Sequence, residues 1–176
     1  MFDPVQPAVP WKLLKDAEGN PKAYPYVGVI GIAYDDKGNF PMLFRGPNVR
    51  SVKNAWSLIS GLHEIGLTLE QQLCAEVKEE ANLDPIPETA KVCGYYENIV
   101  GPEGFHWVMF IMVVKVKTLD TLVNKEPDKH PEIRIANVLK DIYGNKDSEF
   151  WNLTFTPGLK EALLQFRNQI GAAVQI

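Results

Sequence analysis

Three glutamates, Glu76, Glu79 and Glu80, stand at i, i+3 and i+4 in the stretch between Thr68 and Leu83. If that stretch is a helix, a turn of about 100° per residue gathers the three carboxylates within one third of its circumference. Each like-charge pair costs a helix about 0.2–0.5 kcal/mol. A hard divalent cation taking oxygen ligands reverses that penalty, so the pattern points to Mg²⁺ or Mn²⁺. A solvated acidic helix face is the plain alternative. Against it stands the Gly-bearing loop that begins at Gly61 and runs directly into the helix.

The elements that must hold these carboxylates can be read on either side. Thr68 starts the helix with Gln71 as its capping-box partner, and Leu69, Leu73 and Val77 form an apolar row at i, i+4 and i+8. Asn82 closes it, Asn being second only to Gly for a left-handed residue at a helix end. Upstream, Tyr26–Tyr34, a turn through Asp35–Gly38 and Phe40–Arg45 read as a hairpin. Downstream, Asp84-Pro-Ile-Pro ends the helix and leads to a strand over Ala90–Glu97, a loop over Asn98–Gly104 and a long strand over Phe105–Lys117. The run Trp107–Val114 is apolar on both faces, as a central strand covered on both sides requires. Thr118–Pro131 is polar and loop-like and is read as part of a substrate rim. A last helix starts near Thr156-Pro157 and runs through Leu159, Leu163, Leu164 and Phe166. The expectation is an α/β fold, an α/β/α sandwich with a mixed β-sheet, over residues 26–176, preceded by an N-terminal arm over residues 1–25.

Composition narrows the function classes. The chain has 176 residues, 45% hydrophobic and 23% charged, which suits one core. Its longest apolar runs are strand-length, short of the roughly 20 residues of a membrane-spanning helix. The start, Met1-Phe-Asp-Pro-Val-Gln-Pro, lacks the basic and apolar regions of a secretory signal, so the expected location is cytoplasmic. Cys74 and Cys93 fall within predicted elements and read as buried thiols. A net charge of −4 argues against long nucleic acid, which selects basic surfaces. A small phosphorylated molecule, screened locally by a metal, remains compatible.

Residues Gly61 to Leu83 resemble the Nudix box, the signature Gly-x5-Glu-x7-Arg-Glu-U-x-Glu-Glu-x-Gly-U of the Nudix hydrolases, with U a bulky aliphatic. Gly61, Glu76, Val77, Glu79, Glu80 and Leu83 fit the pattern. Leu67 stands in place of the first Glu, Ala75 in place of Arg and Asn82 in place of the last Gly. Trp56-Ser-Leu-Ile-Ser-Gly61 is similar to the Trp-x-x-Pro-Gly-Gly run that leads into the box, and Glu64 matches an extra loop Glu of many members. The similarity covers residues 26 to 115. In the family the box Arg holds carboxylates in place, so Arg45, Lys53 or Arg134 would have to supply that charge here.

The resemblance implies a Mg²⁺- or Mn²⁺-dependent hydrolase cutting a phosphoanhydride in a nucleotide or nucleoside diphosphate derivative, with a homodimer among the family's habits. It implies Glu76, Glu79 and Glu80 as metal ligands, joined by the Ser60 backbone carbonyl. Glu76 and Glu79 are the catalytic candidates, and the general base stays open among Glu79, Glu64, Glu97 and Glu103. Arg45, Tyr96 and His63 are the candidate substrate contacts, with Tyr95, Phe105 and Trp107 as further base platforms. For the aromatics, ordinary strand packing is the competing reading. The departures Leu67 and Ala75 support an alternative, a catalytically weakened domain that binds a nucleotide or a protein. A third reading is another reaction on a diphosphate in the same fold.

Overall fold

The computed structural model describes residues 25–49, 51–100 and 105–174; residues 1–24 of the N-terminal arm and Glu103 lie outside them. In chain order the elements are β1 (Tyr26–Tyr34), β2 (Asn39–Arg45), β3 (Ala55–Ser57), β4 (Ile59–Leu62), α1 (Leu69–Ala81), β5 (Lys91–Val100), β6 (Phe105–Lys115), β7 (Glu132–Asn137), α2 (Leu159–Gln165) and α3 (Arg167–Ala173). They form two sheets, ordered β4-β1-β6-β5 and β3-β2-β7. The first is mixed: β1 runs parallel to β6 from Tyr26↔Trp107 to Tyr34↔Lys115, while β4 and β5 join antiparallel.

The β1 and β6 sequences are apolar at almost every position because both faces of this sheet are covered. Ile30, Ile32 and Tyr34 of β1 and Ile111 and Val113 of β6 enter one core with Leu159, Leu163 and Ile170 of α2 and α3. Their neighbours Val29, Ala33, Met112 and Val114 enter the other with Leu73, Cys74 and Val77 of α1. A strand's period of two thus distributes one apolar run between two helical covers. The result is the expected sandwich of helices around a mixed sheet.

α1 begins and ends on the residues that chain chemistry selects. Thr68 accepts from the Gln71 N–H, and the Gln71 side chain accepts from the Thr68 N–H at 2.9 Å, a closed capping box. Asn82 adopts the left-handed conformation at φ 54°, ψ 30°, with its N–H donating to the Lys78 carbonyl.

Three expectations change. The turn at Asp35–Gly38 forms, with Gly38 N–H donating to Asp35 O at 2.9 Å, yet β1 and β2 part after it into different sheets. Each already has a partner on both edges, β4 and β6 for β1, β3 and β7 for β2, so neither has an edge left for a hairpin ladder. The terminal helix is two short helices broken at Phe166, and it starts at Leu159, after Gly158 in the left-handed region at φ 79°. Strand β5 runs on to Val100, with a bulge between Val92 and Gly94, and β6 stops at Lys115. The alignment with β1 ends there, at Tyr34↔Lys115.

Candidate functional site

α1 carries its carboxylates toward the short strand β4. Glu80 is buried, and its Oε2 accepts the Ser60 N–H at 3.1 Å. In an extended strand the N–H and C=O of one residue point to the same side, so the Ser60 carbonyl shares the side that meets Glu80. Glu76 lies against the next residue: a Cβ on Gly61 would sit 1.7 Å from Glu76 Oε1. Only a residue without a side chain admits the carboxylate this close to the strand.

Gln72, buried one turn before Glu76, fixes that carboxylate. Its Nε2 donates to Glu76 Oε1 at 2.8 Å, while its Oε1 accepts the Glu64 N–H at 2.8 Å. Burial first, then the neighbouring Glu80 charge, pushes the Glu76 carboxyl up to about 7; the Gln72 hydrogen bond opposes this, and Glu79 and Glu64 add to it. Glu79 is exposed and bears on Glu76 through its charge. The structure therefore brings Glu76, Glu80 and the Ser60–Gly61 backbone together, with Glu79 at the rim. A buried and a half-buried carboxylate with backbone oxygen alongside suit a hard cation, and the Glu80, Glu79 and Glu64 charges that add to burial in raising Glu76 mark the negative charge gathered there.

Of the three cations that could replace the box Arg, Arg45 is the one coupled to Glu80. Burial lowers its pKa and the Glu80 charge opposes that, while its guanidinium donates to Val52 O at 3.0 Å and Ser51 O at 2.7 Å. Arg134 instead faces Glu149 at 3.8 Å, and Lys53 is exposed. Leu67 and Ala75 are half-buried. Because they replace a Glu and an Arg together, the summed charge of the box is unchanged.

Beside the carboxylates opens a cavity of about 480 Å³ whose lining includes Arg45, Ser60, Gly61, Tyr96, Trp107 and Tyr26. Trp107 stacks on Tyr26 with ring centroids 4.9 Å apart. Burial pushes the Tyr96 phenol up, so it stays a neutral donor. Arg45 and Tyr96, two of the three candidate substrate contacts, thus line the cavity. His63 is outside the lining, and its Nε2 is hydrogen-bonded to the Leu67 carbonyl at 2.7 Å. Tyr95 is exposed, and Glu97 is exposed with His106 at 3.8 Å. Glu64 is exposed in the loop.

Sequence reasoning missed Gln72, Glu126 and His130. Gln72 had a signal, an amide one helical turn before Glu76 at i−4. Glu126 and His130 reach Glu80 from the loop over residues 118–131, where Nε2 of the buried His130 is 3.7 Å from Glu80 Oε1.

The fold is that of the MutT/Nudix hydrolases. Over 83% of this chain and 96% of the other, it superposes on a MutT protein from Methanosarcina mazei Go1 with a TM-score of 0.61 at 17% identity. A MutT Nudix hydrolase from Burkholderia pseudomallei gives 0.61 at 20% identity, over 81% and 98% of the two chains. A bifunctional NMN adenylyltransferase/ADP-ribose pyrophosphatase from Francisella tularensis, complexed with AMP and a Mn ion, gives 0.61 at 14% identity, over 85% of this chain and 43% of that one. No family model matches the sequence, and no curated protein matches it. At such identities the likeness is one of backbone.

Proposed function

We propose that this protein is a divalent-metal-dependent hydrolase that cuts a phosphoanhydride bond in a nucleotide or nucleoside diphosphate derivative. The observation that carries the reading is the placement of Glu76 and Glu80 against the Ser60–Gly61 backbone at the edge of a cavity lined by Arg45 and aromatic rings. The solved neighbours of the same fold include a bifunctional NMN adenylyltransferase/ADP-ribose pyrophosphatase complexed with AMP and a Mn ion, which supports the same substrate class and ion here.

Glu76, Glu80 and the Ser60 carbonyl would hold the ion, with Glu79 at its solvent side. A bound Mg²⁺ or Mn²⁺ offsets phosphate charge and lowers the pKa of water. Arg45 supplies a fixed positive charge to a phosphate in the cavity, and Tyr96 and Trp107 offer flat faces to a base. Glu76 is one candidate to take a proton from the attacking water. Glu79 is the second candidate for that role. With this reading go a cytoplasmic location and a homodimer.

A second reading, a domain that binds nucleotide without turnover, is favoured by Leu67 and Ala75, which leave the box without its own Glu–Arg pair. One assay separates the two. The protein is incubated with nucleoside diphosphate derivatives and triphosphates in Mg²⁺ or Mn²⁺, and nucleoside monophosphate is resolved by chromatography. The hydrolase forms it, and Glu76→Gln and Glu80→Gln lower the rate by at least about 100-fold. Wild-type rates in both variants would sink the assignment. No product from any substrate, with nucleotide still raising Tm, selects the binding module.

A further inference from the structure

A second set of donors meets Glu80 from the loop over residues 118–131. Backbone bonds dock this loop on the end of α1: Val123 N–H donates to Ala81 O at 3.0 Å and Lys125 N–H to Glu80 O at 3.1 Å. Asn82 Nδ2 adds a bond to Thr121 O at 3.0 Å. Further along, the N–H groups of Lys129 and His130 both donate to Glu126 O, at 3.0 and 2.8 Å. That single helical turn sets Glu126 and His130 four residues apart on one side. Asn124 clamps it at both ends, its Oδ1 accepting the Glu126 N–H at 3.1 Å and its Nδ2 donating to His130 O at 2.5 Å.

One carboxylate oxygen each from Glu80 and Glu126 and one ring nitrogen of His130 consequently lie within 4.8 Å of one another. The distances separate hydrogen bonding from coordination. His130 Nε2 is 3.7 Å from Glu80 Oε1 and 4.0 Å from Glu126 Oε2, beyond the about 2.7–3.2 Å of an N–H···O bond. Two donors sharing one ion at about 2.0–2.2 Å each stand roughly 3–4 Å apart. The other nitrogen, Nδ1, is buried with no hydrogen-bond partner among the described residues. His130 is 3% exposed, and an imidazole so enclosed with a buried nitrogen left unpartnered is unusual.

We propose that Glu80, Glu126 and His130 form a mixed carboxylate–imidazole site for a divalent transition-metal ion, Mn²⁺, Co²⁺ or Zn²⁺, in preference to Mg²⁺. Imidazole nitrogen suits these ions, whereas Mg²⁺ selects oxygen and retains water. The inference rests on the reading of Glu80 as a metal ligand, and not on hydrolysis. The docked loop and the Asn124 clamp hold the donors in place before the ion arrives.

Co²⁺ is the probe, added to the full chain without substrate. Proton NMR of the Co²⁺ protein is expected to show a strongly shifted imidazole N–H resonance that disappears in D₂O. The resonance is absent in His130→Gln, checked for folding by circular dichroism. In His130→Gln and Glu126→Gln, Co²⁺ affinity by calorimetry falls at least about tenfold, and Mg²⁺ affinity changes far less. A wild-type protein that binds no Co²⁺, or binds it without such a resonance, overturns the site whatever the variants do. The shifted resonance in a protein without hydrolase activity removes the proposed function and keeps this site. Hydrolysis without the resonance does the reverse.

Discussion

Glu76 concentrates the tension of the site in one side chain. Burial, Glu80, Glu79 and Glu64 all favour its neutral form, and the hydrogen bond from the Gln72 amide opposes them. Its folded carboxyl titrates at about 7 against an ordinary value of 4.5. A carboxyl raised in the folded state stabilises the fold fully below its unfolded pKa, and that contribution is lost as pH climbs through the folded value. Metal-free protein should therefore lose Tm between about pH 4.5 and pH 7 relative to Glu76→Gln, which has no such titration. Parallel Tm profiles for the two proteins would contradict this origin. The acidic trio and its spacing were legible in the sequence. Which member lies buried, which at the rim, and which cation answers Glu80 were not, because burial and charge coupling depend on β4 and β2 arriving beside α1.

At the scale of elements, α1 was the most readable, because both of its ends are set by local chemistry. Asn82 does two things there. It takes the left-handed conformation at φ 54°, and its Nδ2 anchors the 118–131 loop at Thr121. Asn82→Ala should lose about 1–2 kcal/mol through backbone strain, roughly 2–8 °C in Tm. Asn82→Gly should be the more stable of the two, since Gly accepts that conformation while losing the same anchor. Equal melting of the two variants by calorimetry would discount the strain. The β1–β2 turn was equally visible, but its hairpin was not formed. A turn is decided by four residues, whereas the partner of a strand is decided by competition among all edges of the sheet. The break at Phe166 follows the same rule, as α2 and α3 bend to cover one core that neither covers alone.

For the whole molecule, the site exists because α1 sits close enough to the sheet for its carboxylates to reach β4. That approach needs Gly31: a Cβ there would lie 2.3 Å from Leu73 Cδ1, with Leu73 fully buried. Gly31→Ala should cost about 1–3 kcal/mol by overpacking, roughly 2–12 °C in Tm. A Gly31→Ala protein as stable as wild type would mean that α1 can lift off β1 without loss. No helix among the described residues is long and apolar enough to cross a membrane, and the apolar runs are spent inside this sandwich. The sequence by itself determined the class of fold, the limits of α1, the doubly covered central strands and the carboxylate face. These rest on period, capping and turn chemistry, which act over a few residues. Only the tertiary structure decided that β1 and β2 belong to different sheets, that Arg45 couples to Glu80, and that Glu126 and His130 arrive beside it. Those contacts join residues up to tens of positions apart through docking of surfaces, and no local pattern encodes which surface meets which.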